Sequence, residues 1–179
     1  LIPIFPLYGS ILLPKTIMPL QIFEPRYRQM VEHSLQNHAL IGMIQPRNNK
    51  DESIHNVGCL GRIEHSQKQP NGNYLIRLHG EIRFEILREL EVETLYRQVE
   101  VDYNHFMGDS EESLKNQEFS ELVDAFEAFS VRKNLQVKWE NLESIPINYL
   151  VNILCINLEF SPLEKQALLE APNLNKRWD

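Results

Sequence analysis

Between Met18 and Leu35 the apolar residues change their period, and a proline stands at the change. Met18, Leu20 and Ile22 alternate along a strand interrupted by Pro19, with Phe23 following. Tyr27, Met30, Val31, Ser34 and Leu35 then recur at three- and four-residue spacing, the signature of one helix face. Pro25 suits the first helical position, where its missing N–H costs nothing and its φ is already set. A strand handing straight into a helix lays that helix across a sheet or barrel, so Tyr27, Met30, Val31 and Leu35 are expected to be buried. We read the helix as running from Pro25 to about Asn37, with the Glu24 carboxylate serving the positive end of its dipole.

The rest of the chain up to residue 107 reads mainly as strands. Ile2-Pro3-Ile4-Phe5-Pro6-Leu7 is apolar but twice interrupted by proline, which predicts an edge strand or an extended arm. Tyr8 to Lys15 reads as a loop that nonetheless carries Ile11, Leu12 and Leu13. Ala39 to Ile44 reads as a short buried strand, and Arg47 to Asn56 as a polar, mobile connection. Gly58 to His65 resumes the strand pattern. Asn71-Gly72 marks a tight hairpin, because both residue types tolerate positive φ. Tyr74, Ile76 and Leu78 alternate beyond it, Gly80 breaks or bulges the strand, and Ile82, Phe84 and Ile86 continue the alternation. A last strand is expected over Arg97 to Tyr103, with Val99 and Val101 on one face. Short strands joined by tight turns, with one crossing helix, predict a small closed or nearly closed barrel.

From residue 108 the period becomes helical. Leu114, Phe119, Leu122, Val123, Phe126 and Phe129 fit the inner face of a helix over about 112–131. Pro146 opens a second helix, with Tyr149, Leu150, Ile153, Leu154 and Ile156 on a wide apolar side. Ser161-Pro162-Leu163-Glu164 combines a serine N-cap, proline at the first position and glutamate at the third, the pattern of a capping box. Leu163, Ala167 and Leu168, with Leu169 beside them, are its expected apolar side, and Pro172 ends it. The reading is α+β: a β-barrel subdomain over 1–107 and a helical subdomain over 108–179, fold class following from element order.

Several of these pieces together resemble the Lon N-terminal (substrate-binding) domain family, in its small stand-alone bacterial form. IFEPRYR followed by Met30 is the most specific match. FPLYGSILLP, GCLGRI at Gly58–Ile63, NGNYLIRLHGEIRF at Asn71–Phe84 and SPLEKQALLE at Ser161–Glu170 extend the resemblance over nearly the whole chain. It departs after Pro14, where the family commonly has Pro-Gly and this chain has Lys15. The resemblance implies a small PUA-like β-barrel with one crossing helix and a C-terminal helical bundle. It implies a role in holding protein substrates rather than cutting them, with unfolded or exposed protein segments as partners and a protease or chaperone system as the associated machinery.

Charge and composition exclude other classes. The net charge of −7 is concentrated between Asp109 and Glu127, where seven acidic residues are opposed only by Lys115. We read that stretch as a solvated helix face. An acidic chain without a basic stripe argues against a nucleic-acid partner, because phosphate neutralisation dominates that affinity. No apolar run reaches the roughly 20 residues of a membrane span, and no secretory leader pattern opens the chain. Cys59 and Cys155, far apart in apolar contexts, read as free buried thiols of a reducing cytoplasm. No phosphate loop of the form GxxxxGK[ST] occurs, the six histidines show no zinc spacing, and Ser161/Lys165 at helical spacing reads as a cap rather than a catalytic pair. No catalytic residue, metal or cofactor is therefore expected. Arg83, before Phe84, reads as a brace at the barrel rim.

The expected function is a non-catalytic module that captures peptide segments through exposed apolar surface. A PUA-like barrel binding RNA or a small molecule is the alternative, since fold alone does not fix function. The candidate peptide-binding residues are Tyr8, Ile11 and Leu12, an aromatic ring and an apolar pair in a loop between Pro6 and Pro14. Phe5 and Phe23 nearby are read as barrel core.

Overall fold

The computed structural model of the chain describes residues 1–49, 53–110, 120–121, 123–124 and 146–178. In chain order the elements are β1 (Ile2–Pro6), β2 (Ile17–Ile22), α1 (Pro25–Leu35), β3 (Leu40–Pro46), β4 (Ile54–Lys68), β5 (Tyr74–Glu89) and β6 (Gln98–Asp102). A 3-10 turn over Asn104–Ser110 follows, then α2 (Ile147–Asn157), α3 (Pro162–Glu170) and α4 (Leu174–Trp178). The expected helix over 112–131 lies outside the described residues apart from positions 120, 121, 123 and 124, which are helical. The fold is α+β and dominated by its sheet.

β5 organises that sheet. One edge pairs along its length with β4, from Lys68↔Tyr74 to Val57↔Glu85. The other edge is shared: β2 takes the first half, Ile22↔Tyr74 to Ile17↔His79, and β6 takes the second, Glu85↔Asp102 to Glu89↔Val99. With β4 on β3, β3 on β1 and β1 on β6, the strands β5-β4-β3-β1-β6 close into a ring and β2 extends it. The interior takes one or two side chains from every strand of the ring: Ile2, Ile4, Ile44, Leu60, Phe84 and Val99 form one buried cluster. The register slips opposite Gly80, as the glycine predicted, and a Cβ there would collide with the Leu13 carbonyl of the loop crossing above it.

β1 is an internal strand, not the edge strand or arm its prolines predicted. It pairs in parallel with β3 (Ile4↔Gly42) and antiparallel with β6 (Ile2↔Val99). Backbone groups alternate in direction along a strand. Ile4 donates to the Arg97 carbonyl on the β6 side and Leu7 to the Ile44 carbonyl on the β3 side. The absent N–H of Pro3 therefore faces β3 just before that ladder begins, and that of Pro6 faces β6 beyond where that ladder ends. Neither proline interrupts a bond that would otherwise form.

α1 buries Tyr27, Met30, Val31 and Ser34, as the spacing required, and Tyr27 meets Phe5 edge-on with ring centroids 4.7 Å apart. Leu35 departs from expectation: it ends the helix and is 39% exposed. Glu24 is also corrected, since its side chain makes no capping bond and instead accepts from Arg26 Nε at 2.9 Å. The hairpin turn needs positive φ only at Gly72 (82°), where Gly72 N–H bonds the Gln69 carbonyl. β4 begins at Ile54, inside the stretch read as a polar connection. On α3 the capping box is present, Ser161 and Glu164 each accepting from the other's backbone N–H. Its buried side carries Gln166 and Leu169, whereas Leu163, expected inside, is 69% exposed. A polar residue faces the barrel there because Gln166 bonds the Val57 carbonyl of β4.

Candidate functional site: the β1–β2 end of the barrel

The loop from Leu7 to Thr16 leaves β1 at Pro6 and re-enters the sheet at Ile17. Tyr8 is half-exposed there, but Ile11 and Leu12 are 2% and 1% exposed and lie with Leu13 in the main hydrophobic core. The expectation that this apolar pair lies on the surface is corrected. Loops run on surfaces because their backbone groups need partners, and this one finds partners inside. Gly9 N–H donates to Gln45 Oε1 (3.0 Å) and Lys165 Nζ donates to the Gly9 carbonyl (3.1 Å). Thr16 Oγ1 donates to the Leu13 carbonyl, Asn152 Nδ2 to the Pro14 carbonyl (3.0 Å), and Lys15 N–H to the Gly80 carbonyl.

Two adjoining depressions flank the same end and share Pro6 and Tyr27. One, about 130 Å³, lies between the ends of β1 and β2 with Leu20 and Phe23 in its wall. The other, about 370 Å³, is framed by Tyr8, Arg26, Asn48, Leu95 and Arg97. Phe23, read as core, is 62% exposed, in the short link between the end of β2 and the start of α1. The charges at the rim are paired locally. Arg26 holds Glu24 while its guanidinium sits 4.6 Å from the Tyr27 ring centroid, and Arg97 bridges Glu89 at 2.6 Å. Tyr8, Phe23 and Leu95 give this surface exposed apolar and aromatic side chains, beside the polar Asn48 and Asn49. Leu95 was missed: a single leucine in the connection between β5 and β6 carries no periodic signal.

The residues with chemical potential elsewhere are committed to architecture. Arg83 is fully buried. It forms a two-pronged pair with Asp109 (Nε–Oδ2 2.9 Å, Nη2–Oδ1 2.6 Å), donates through Nη1 to the Leu169 and Ala171 carbonyls, and stacks 4.5 Å from the Phe106 ring centroid. It braces the outer face of β5, opposite the interior Phe84, against the C-terminal helices rather than the rim. Asp109, assigned to a solvated helix face, is instead buried in this pair. Ser161 Oγ accepts from Glu164 N–H and Lys165 reaches Gly9, so these two do not face each other as nucleophile and base. Burial pushes the Cys155 thiol up to about 11 and the Cys59 thiol higher still, so neither is a thiolate at neutral pH. Among the described residues no three His, Cys, Asp or Glu side chains converge as metal ligands. His33 Nδ1 lies 2.9 Å from Tyr96 Oη, and His79 and His105 each face a glutamate.

The fold is thus a sheet-built domain with a depression carrying exposed apolar and aromatic side chains beside its first strand. Residues 1–179 match the family model of the ATP-dependent protease La (LON) substrate-binding domain, and the chain belongs to that family. It is 25% identical over 190 residues to a Lon protease of Flavobacterium johnsoniae and 26% identical over 192 residues to Lon protease 2 of Myxococcus xanthus. Either alignment covers 98% of this chain. The chain spans 22% of the length of these relatives. The fold is similar to that of a Lon N-terminal domain protein from Xanthomonas campestris (TM-score 0.71, 22% identity, 96% of this chain and 90% of that one). It is also similar to the N-terminal domain of a Mycobacterium avium complex Lon protease (TM-score 0.70, 15% identity, 99% and 93%).

Proposed function

We propose that this domain captures exposed segments of other proteins at the paired depressions around Pro6 and Tyr27, and that it binds without breaking bonds. The observation that carries the reading is the arrangement of Tyr8, Phe23 and Leu95, exposed apolar side chains around one aromatic floor whose charges are already paired. Such a surface gains little from a charged ligand and much from covering an apolar side chain. Its membership in a substrate-binding family supports the same reading. Of the three residues first assigned to binding, Tyr8 remains a contact residue in this proposal. Ile11 and Leu12 support it from beneath.

The test is a titration of a permanently unfolded, carboxymethylated model protein against the wild-type domain and the Phe23→Ser/Leu95→Ser variant. Both side chains are exposed, so the variant should melt close to wild type while its affinity falls about tenfold, the effect of losing a contact worth more than about 1 kcal/mol. Unchanged affinity in a variant with wild-type melting would move the binding surface elsewhere.

A further inference from the structure

A buried loop without regular structure is stable only if its backbone groups are satisfied, and here two of its carbonyls are met from the far end of the chain. The Gly9 carbonyl is met by Lys165 of α3, and Gly9 N–H by Gln45, whose own amide donates to the Pro162 carbonyl and to Gln166 Oε1 of the same helix. Five residues on, the Pro14 carbonyl is met by Asn152 of α2. Asn152 is held in turn by Arg177 of α4, which donates to its Oδ1 at 2.7 Å and to the Leu168 carbonyl. These contacts fall at Gly9 and Pro14, bracketing Ile11, Leu12 and Leu13. Gln45, Asn152, Gln166 and Arg177 are all buried, and the bonds Gln45–Gln166, Asn152–Pro14 and Arg177–Asn152 are made away from water, where an unmade one costs most.

We infer that α2–α4 and the loop after β1 form one conformational unit: the C-terminal helices order the loop, and through it they position Tyr8 at the depression. Loosening the helices removes one partner near either end of the loop, at the Gly9 and Pro14 carbonyls. That loosens the cover over Ile11–Leu13 and the placement of Tyr8, while Gln45 and Gly80 keep the loop tethered to the sheet. The barrel ring, whose ladders do not pass through these contacts, stays closed. Lys165 and Asn152 are positioning residues in this arrangement. The consequence for binding rests on the proposed role of Tyr8; the ordering of the loop does not.

Amide hydrogen exchange of the whole domain, with unfolded carboxymethylated protein as the binding probe, separates the two. In Asn152→Ala, exchange over Tyr8–Lys15 should accelerate about tenfold, the effect of one lost buried hydrogen bond, while β4 and β5 keep wild-type protection. Probe affinity should fall in parallel. Lys165→Met removes a half-buried contact and should accelerate only the Gly9 end, which keeps the test decisive if Asn152→Ala does not fold. Faster loop exchange with unchanged probe affinity supports the unit and removes Tyr8 from the binding surface. Loop exchange that is unchanged, or that rises equally in β4 and β5, overturns the inference.

Discussion

The connection between β4 and β5 and the connection between β1 and β2 solve the same problem in opposite ways. The first turns at Gln69–Asn73 and satisfies itself: Gln69 N–H bonds the Asn73 carbonyl, Gly72 N–H the Gln69 carbonyl, and Asn73 N–H the Asn71 side chain. Its residues are polar and it needs nothing from the rest of the chain to close. The second carries three buried apolar residues and borrows two of its partners from residues 138 and 156 positions away, and others from β3 and β5. A self-sufficient turn can form early and lie in water, whereas a dependent loop exists only in the finished fold. The contrast shows why burial of a loop reports on tertiary structure rather than on its own sequence.

The contrast can be broken hardest at Arg83, which ties β5 to Asp109 and to the end of α3. Arg83→Met leaves Asp109 buried without its partner and strips two carbonyls of their donor, a loss of about 3–5 kcal/mol in a denaturant melt. In hydrogen exchange the loss should be felt at the dependent loop before the hairpin. Equal loosening of both connections would show that the two are not separable.

A second experiment compares the connections directly. Leu12→Ala removes a fully buried side chain and should cost about 2–5 kcal/mol, while Asn71→Ala at the exposed turn should cost under about 1 kcal/mol. Similar drops in melting temperature for the two would erase the distinction.

The smallest effect sharpens the hairpin side. Glu32 on α1 accepts from Lys68 Nζ (2.9 Å) and Tyr74 Oη (2.8 Å), the two residues that flank the turn. The bond from Lys68, then that from Tyr74, hold the Glu32 carboxyl below its ordinary value of 4.5. The folded carboxyl gives up its proton more readily than the unfolded one. Its contribution is therefore whole above 4.5 and fades as the pH falls through the lower folded value. Because the group is exposed the effect is slight, and should appear as earlier exchange of the hairpin amides at acid pH that is absent in Glu32→Gln.

Legibility in the sequence followed the same line. The strand-to-helix passage at Pro25, the capping box at Ser161 and the turn at Gly72 were readable because their causes lie within a few residues. Tyr27, Met30 and Val31 were readable as core because helical spacing is local. β1 was misread as an edge because the ends of its two ladders are set by β3 and β6, not by Pro3 and Pro6. Ile11 and Leu12 were misplaced because Lys165 and Asn152 cannot be connected to them by any short-range pattern. At the candidate site, Tyr8 stood out beside its glycine. Phe23 looked like core, since an apolar residue after a strand gives no sign of what stands above it.

The pairing of Ile2 with Val99 has a consequence for the order in which the molecule is made. β1, carrying Ile2 and Ile4, is synthesised before the other strands of the ring, yet its antiparallel neighbour is the last of them to be made. β3 can cover one edge early, but the seam that seals the barrel waits for Gln98–Asp102. For that interval the nascent chain carries an open, apolar strand edge, the kind of surface that invites pairing with other chains. Closure of the Ile2–Val99 seam therefore has to outpace pairing of that edge with other chains.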